Sequence, residues 1–255
     1  MSKPKISFYF LIRSHNAFPY LGKCLDSLQR QSRQNYKVLF VDDASEYTRA
    51  QQNYIKQRLK GHIVQFNQEQ KFSLRNAYEM IHEHVDNDEA IIINLDGDDW
   101  LIRDDVIDVV DKTYEVHHCL LTYGNCVYHA PGEAFHNKKG SEVIPTINQR
   151  YPDKVENLSS YRKEGFRPLH LRTWKAREFK NIPKKYFLRS DGNWVQFCED
   201  QAIFLPLLEK ADGRYEVIST PLSAYNRHNP NSDSKLHLYE MLSDEVTILK
   251  MKPLK

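Results

Sequence analysis

The sequence predicts an α/β fold with a mostly parallel, Rossmann-like central sheet flanked by helices. Three observations carry that reading. Apolar runs of strand length alternate with helix-spaced apolar stripes through the first half of the chain. Two of those runs end abruptly in acidic clusters, Asp42-Asp43 and Asp96-Gly97-Asp98-Asp99. The chain has 255 residues, 40% of them hydrophobic, which is enough to bury one sizeable core.

Ile6 to Ile12 is a continuous apolar and aromatic run, the pattern of a strand buried on both faces. Leu21, Cys24, Leu25 and Leu28 follow at helical spacing. Lys37 to Val41 reads as a second buried strand, and Tyr54, Ile55 and Leu59 mark a second helix. His62 to Phe66 is a short third strand. Leu74, Ala77, Tyr78, Ile81 and Val85 share one helical face, with Ser73 as the expected N-cap. Ala90 to Leu95 is the next strand, followed by a helix over residues 104–117. Beyond residue 120 the rhythm weakens. Leu120 to Tyr128 reads as a strand and residues 129–165 as long irregular loops. Trp194 to Glu209 reads as a loop leading into a helix that contains Pro206. Glu216 to Ser219 is a short strand, and Tyr239 to Leu249 an amphipathic helix.

Composition excludes several classes. A net charge of +2 does not supply the concentrated basic field of a dedicated nucleic-acid binder. Cys24, Cys119, Cys126 and Cys198 form no C-x-x-C pair and read as buried free thiols of a reducing compartment. Met1 to Lys5 is polar, and no stretch reaches membrane-spanning length without charges. The expectation is a soluble, intracellular, cytoplasmic protein.

Parallel strand pairing places both acidic clusters along one sheet edge, where ligands of open α/β sheets bind. Three carboxylates within four residues repel one another and raise each other's pKa. A divalent cation relieves that repulsion, and carboxylate oxygens suit magnesium or manganese. The alternative is a solvated turn in which Asp99 caps the next helix. The sequence contains neither G-x-G-x-x-G nor G-x-x-x-x-G-K-[ST]. A nucleotide on this sheet would be held by side chains and metal rather than by a backbone cradle.

Four segments in order resemble family 2 glycosyltransferases of the GT-A fold. They are Ile12-Arg13-Ser14-His15-Asn16, Val41-Asp42-Asp43-Ala44-Ser45, Ser73-Leu74-Arg75-Asn76-Ala77 and Leu95-Asp96-Gly97-Asp98-Asp99-Trp100-Leu101. Looser matches are Glu199-Asp200-Gln201-Ala202, Tyr225 to Pro230, and Phe166 to Phe179 with His170-Leu171-Arg172. The third segment departs from the family pattern in having Tyr78-Glu79 where a glycine is usual.

The resemblance implies one GT-A domain. Its nucleotide-binding half would cover about residues 1–125 and its smaller acceptor-binding half about residues 126–235, with a C-terminal helix from residue 236. It implies an inverting transfer from a nucleoside-diphosphate sugar, a UDP-sugar above all, assisted by Mn²⁺ or Mg²⁺. Asp43 would accept the base-ring N–H with Asp42 behind it. Arg13, Asn16, Arg75, Asn76, Asp96 and Gly97 would complete the nucleotide site. Asp96, Asp98, Asp99 and His228 would serve the metal or the diphosphate. Asp200 would be the catalytic base, with Glu199 as the alternative. The acceptor would be a glycan, a protein hydroxyl or a lipid-linked molecule. Rival readings are a sugar-1-phosphate nucleotidyltransferase and a non-catalytic nucleotide-sugar-binding domain.

Overall fold

The computed structural model describes residues 7–130, 143–157 and 160–254. The chain opens as expected. Strand β1 (Phe8–Ser14) is buried along its whole length, and helix α1 (Phe18–Gln29) follows with Pro19 in its first turn. Strand β2 (Tyr36–Asp42), helix α2 (Arg49–Arg58), strand β3 (Ile63–Phe66), helix α3 (Phe72–His84) and strand β4 (Ile91–Asp96) complete two crossover units. Thr48 and Gln51 cap α2 reciprocally. Ser73 does not cap α3: the helix begins one residue earlier, at Phe72, and Lys71 occupies the cap without a side-chain bond.

Strands β3, β2, β1 and β4 lie side by side in that order and are parallel. Ser14 is in register with Asp42, and Arg13 with Asp96. Both acidic clusters therefore leave the sheet at the same edge, as the strand pattern requires. Alternate residues of these strands feed two separate cores. Tyr9, Leu11, Leu39, Val41 and Ile92 pack on one face, with Leu74, Ala77 and Met80 of α3. Phe8, Phe10, Ile12, Val38 and Phe40 pack on the other, with Leu21, Leu25 and Leu28 of α1. Helices thus cover both faces of one sheet.

The second half contains more order than its composition suggests. Strand β5 (Trp100–Leu101), helix α4 (Val106–His117) and strand β6 (Leu121–His129) lead to strand β7 (Val143–Pro145) and helices α5 (Asp153–Asn157) and α6 (Tyr161–Glu164). The segment expected to be loop thus carries a strand and two short helices, and Tyr151, Val155 and Tyr161 are core residues. Residues 131–142 of that segment lie outside the described residues. Strand β8 (Arg172–Lys175), helix α7 (Ala176–Lys180) and a tight turn at Lys184–Phe187 precede helix α8 (Glu199–Ala211). Pro206 sits buried within α8. Strand β9 (Tyr215–Asn226) is three times as long as the four-residue strand expected there, and α9 (Asp233–Leu236) and α10 (Leu238–Lys250) end the chain.

These strands extend the sheet to nine. β8 joins β4 antiparallel, β6 joins β8 antiparallel, β9 joins β6 parallel, and β5 and β7 close onto β9 and β6. The insertion of β8 beside β4 carries residues 170–172 to the acidic edge. All four cysteines are buried and free, as expected.

Candidate active site

A cavity of about 240 Å³ opens at the carboxyl edge of β1 and β4. Its walls include Arg13, Asp96, Asp98, Glu199 and Asp200 from the expected set, with His170, Arg172, Tyr225, Asn229 and Asp233. Arg13 is the central link. Its Nη2 donates to Asn94 Oδ1 at 2.9 Å, Asp96 Oδ1 at 2.8 Å and Glu199 Oε1 at 3.1 Å. One buried guanidinium thereby ties the end of β4 to the start of α8 and offsets two carboxylates.

The Asp96–Asp99 turn divides its labour. Asp96 faces the cavity. Gly97 N donates to Arg13 O at 2.9 Å, and a Cβ at Gly97 would lie 3.0 Å from that same oxygen. Gly97 thus permits the close approach of two chains, a structural reason for its place in the motif. Asp98 accepts from Asn229 Nδ2 at 2.7 Å, and burial pushes its carboxyl up to about 6. Asp99 turns inward. Its Oδ1 accepts from Asn226 N at 2.8 Å, while Oδ2 has no hydrogen-bond partner. Burial and the neighbouring Asp98 and Asp96 raise the Asp99 carboxyl well above the usual range.

His170 faces Asp99, with Nδ1 3.7 Å from Asp99 Oδ2. Arg172 Nη2 donates to His170 Nε2 at 3.0 Å, and burial followed by the Arg172 charge holds the imidazole neutral. Ligand atoms of Asp96, Asp99 and His170 all lie within 4.8 Å of one another. Two carboxylates and an imidazole suit a manganese-type cation, and Asp99 Oδ2 is buried without a partner among the described residues; because Arg172 donates to His170 Nε2, the neutral ring carries its proton on Nδ1, so His170 would ligate only in the other tautomer, with Arg172 turned away. The donor set therefore fits a divalent ion. His228, expected in this role, is exposed and outside the cavity lining; its neighbour Asn229 occupies the wall.

Glu199 and Asp200 open α8, whose N-terminal dipole favours negative charge. The preceding Cys198 is in the left-handed region (φ 55°), and that turn presents both acids to the cavity. Glu199 is held by Arg13. Arg172 Nη2 lies 3.3 Å from Asp200 Oδ2, and Gln201 N donates to Asp200 Oδ1 at 2.8 Å. Burial nevertheless lifts the Asp200 carboxyl to about 6, with Arg172 opposing the rise.

A smaller side cavity of about 70 Å³ adjoins along Arg13, His15, Asp43, Phe72, Ser73 and Asn76. The Asp43 carboxylate already accepts from Asn67 Nδ2 at 2.9 Å, Lys71 N at 2.8 Å and Phe72 N at 2.8 Å. It fixes the entry to α3 and keeps little acceptor capacity for a ligand. Asp42 closes a turn by accepting from Ser45 N at 3.0 Å and Ser45 Oγ at 2.6 Å. Asn76 Oδ1 accepts from Asn67 Nδ2 at 2.8 Å beside the side cavity. Asn16 is exposed and lines a neighbouring hollow with His15 and Phe72. Arg75 is absent from these walls: its Nε donates to Glu79 Oε1 at 2.8 Å on the exposed side of α3.

His15, His170, Arg172, Tyr225 and Asn229 are among the wall residues to which sequence reasoning gave no individual role. Each lies inside a segment that the motif pattern singles out, so the signal was local position rather than residue type. Asp233 had no such signal.

The comparisons bear on this geometry. The model of the family described as "Glycosyl transferase family 2" matches residues 9–199, which spans every acidic element of the cavity except Asp200 and Asp233. S. aureus TarS 1-349, solved in complex with UDP, superimposes with a TM-score of 0.62 at 15% identity over 96% of this chain and 66% of that one. A second S. aureus TarS structure gives 0.60 at 14% identity, over 94% of this chain and 44% of that one. The mannosyltransferase PcManGT from Pyrobaculum calidifontis, in complex with GDP-Man and Mn²⁺, gives 0.55 at 13% identity, over 96% of this chain and 65% of that one. The chain thus spans about two thirds of the length of the shorter structures and under half of the longer TarS. No curated protein matches it. At such identities the likeness speaks for the fold, which is GT-A. The family follows from the match over most of the chain's own length: this is a member of glycosyl transferase family 2.

Proposed function

We propose that the chain transfers a sugar from a nucleoside-diphosphate sugar, a UDP-sugar first among candidates, to an acceptor hydroxyl by an inverting single displacement. The observation that carries the reading is the pairing of two acidic groups in one cavity. Asp200 stands on one wall with its carboxyl raised to about 6, and the Asp96–Asp99 turn stands with it around Arg13. Family membership and neighbours solved with UDP and with GDP-Man support the donor class.

Asp200 is the base. A carboxyl tuned near 6 is ionised at neutral pH yet still basic enough to accept the acceptor's proton as the new bond forms. Glu199 is less suited, because its carboxylate is committed to the buried Arg13. Arg172 holds Asp200 in place, and burial followed by the Arg172 charge disfavours the charged form of His170. Asp96 and Asp99 would hold Mn²⁺ or Mg²⁺, joined by His170 only if Arg172 releases its Nε2, with Asp98 at the cavity wall. Such an ion offsets the charge gathered on a departing diphosphate. The small side cavity beside Asp43 and Asn76 is offered to the base end of the nucleotide.

A nucleotidyltransferase reading finds no glycine-rich phosphate loop between β1 and α1, which are joined by His15-Asn16-Ala17. A purely binding role leaves the raised Asp200 without a purpose. Among the described residues no helix is long and apolar enough to cross a membrane. The test is donor turnover: purified protein with UDP-sugars and Mn²⁺ should release UDP, and Asp200→Asn should slow release by about 10²-fold or more while UDP still binds. Release at the wild-type rate in Asp200→Asn would remove Asp200 from the mechanism.

A further inference from the structure

The side chain of Asp244, on α10, is fully buried and does not line the cavity, and all its hydrogen bonds go to one stretch of chain. Arg189 Nε donates to Oδ1 at 2.7 Å and Arg189 Nη2 to Oδ2 at 2.8 Å. Gln196 N and Phe197 N donate to Oδ2 at 3.0 Å and 2.9 Å. Residues 196 and 197 immediately precede Cys198, the left-handed residue from which Glu199 and Asp200 emerge. The same helix makes two more links to this stretch. Cys198 Sγ donates to Met241 O at 3.4 Å, and Gln201 Nε2 to Glu245 Oε1 at 2.9 Å.

A left-handed, non-glycine residue persists only when its surroundings over-determine it. Cys198 has no side-chain cap bond to the helix it starts. The fixing must come from either side, and here it comes from Met241, Asp244 and Glu245, spaced along one face of α10. A buried carboxylate receiving a bidentate guanidinium and two consecutive backbone N–H groups is a rigid joint, because each bond is charge-assisted.

We infer that Asp244 is a positioning residue: through the 196–198 turn it sets the direction of Asp200, without touching substrate. This rests on the proposal that Asp200 is the base. An asparagine at 244 would keep the shape but lose the charge, and its amide N–H would face donors. Loosening the turn would misplace Asp200, whereas the nucleotide side, built on β1 to β4, would be untouched.

The experiment is a double-mutant cycle on the full chain, reading UDP release from a UDP-sugar against donor concentration. Asp244→Asn should lower kcat by about tenfold or more, with KM for the donor within about twofold. In the Asp200→Asn background the same change should cost less than about twofold, because there is no base left to misplace. If Asp244→Asn does not fold, Arg189→Gln serves in its stead, since it removes the fork and leaves both backbone contacts. An unchanged kcat overturns the inference, as does a loss of equal size in both backgrounds, which marks a general structural role. Full turnover in Asp200→Asn alone overturns the base assignment and, with it, Asp244's role; loss in Asp200→Asn with additive effects overturns Asp244's role only.

Discussion

Replacing Arg13 by methionine removes the cation at which β1, β4 and α8 meet. The guanidinium is 5% exposed and stands 2.8 Å from Asp96 and 3.1 Å from Glu199. Removing one partner of a buried ion pair costs about 3–5 kcal/mol, because the other charge is left without compensation. The Asp96 and Glu199 side chains keep 29% and 19% of their exposure, so water reaches them once the arginine is gone. That places the cost at the lower end, about 3 kcal/mol. At roughly 2–4 °C per kcal/mol for a chain of this size, Tm should fall by about 6–12 °C. Thermal unfolding followed by circular dichroism at neutral pH measures it. Adding Glu199→Gln removes one stranded charge and should recover part of the loss. A single variant within about 2 °C of wild type, or a double variant with no recovery, would refute the view of Arg13 as the electrostatic joint.

Three further outcomes are expected. With the Asp200 carboxyl raised to about 6, kcat/KM should climb as pH rises through that value, and Asp200→Asn should cost about 10²–10⁴-fold and flatten the limb. The same upward shift means that ionising Asp200 opposes folding, so this group's contribution to stability is lost as pH rises from its ordinary range through about 6; Asp200→Asn should therefore have a higher Tm than wild type at about pH 8 and no advantage at about pH 4. Asp99→Asn should weaken Mn²⁺ binding by at least about tenfold by calorimetry without nucleotide, and an unchanged affinity would remove Asp99 from the ion site.

The nucleotide half of the fold was legible because its strands are buried on both faces. Phe8 to Ile12 is apolar or aromatic throughout and Ile91 to Leu95 is interrupted by Asn94 alone, and parallel register then carries Asp42 and Asp96 to one edge. The acceptor half was not legible in the same way. β8 pairs antiparallel with β4 and β6 across long sequence separations, so nothing local announced that His170 and Arg172 reach the acidic turn. β5 has two residues, too few for any periodicity. Tyr151, Val155 and Tyr161 are buried from a polar segment, and so is the charged Arg162, paired with Glu209.

Residue roles were less legible than positions. Asp43 lies where its motif puts it, yet three donors already occupy it. Arg75 is drawn to Glu79, four residues on, across the exposed face of α3. After β9 the chain turns so that Asn229, not His228, meets Asp98. A one-residue difference of this kind depends on turn geometry that residue type does not encode. In the proposed mechanism Asp200 is preferred to Glu199 because Arg13 holds Glu199 while burial lifts the Asp200 carboxyl to about 6.

The most direct test of the central claim is a calorimetric titration of UDP into the purified chain with and without Mn²⁺, paired with UDP release from a panel of UDP-sugars. Metal-enhanced UDP binding is expected in wild type and in Asp200→Asn, with UDP release at least about 10²-fold slower in Asp200→Asn. Absence of binding by any nucleoside diphosphate, with no release from any sugar nucleotide, would contradict it.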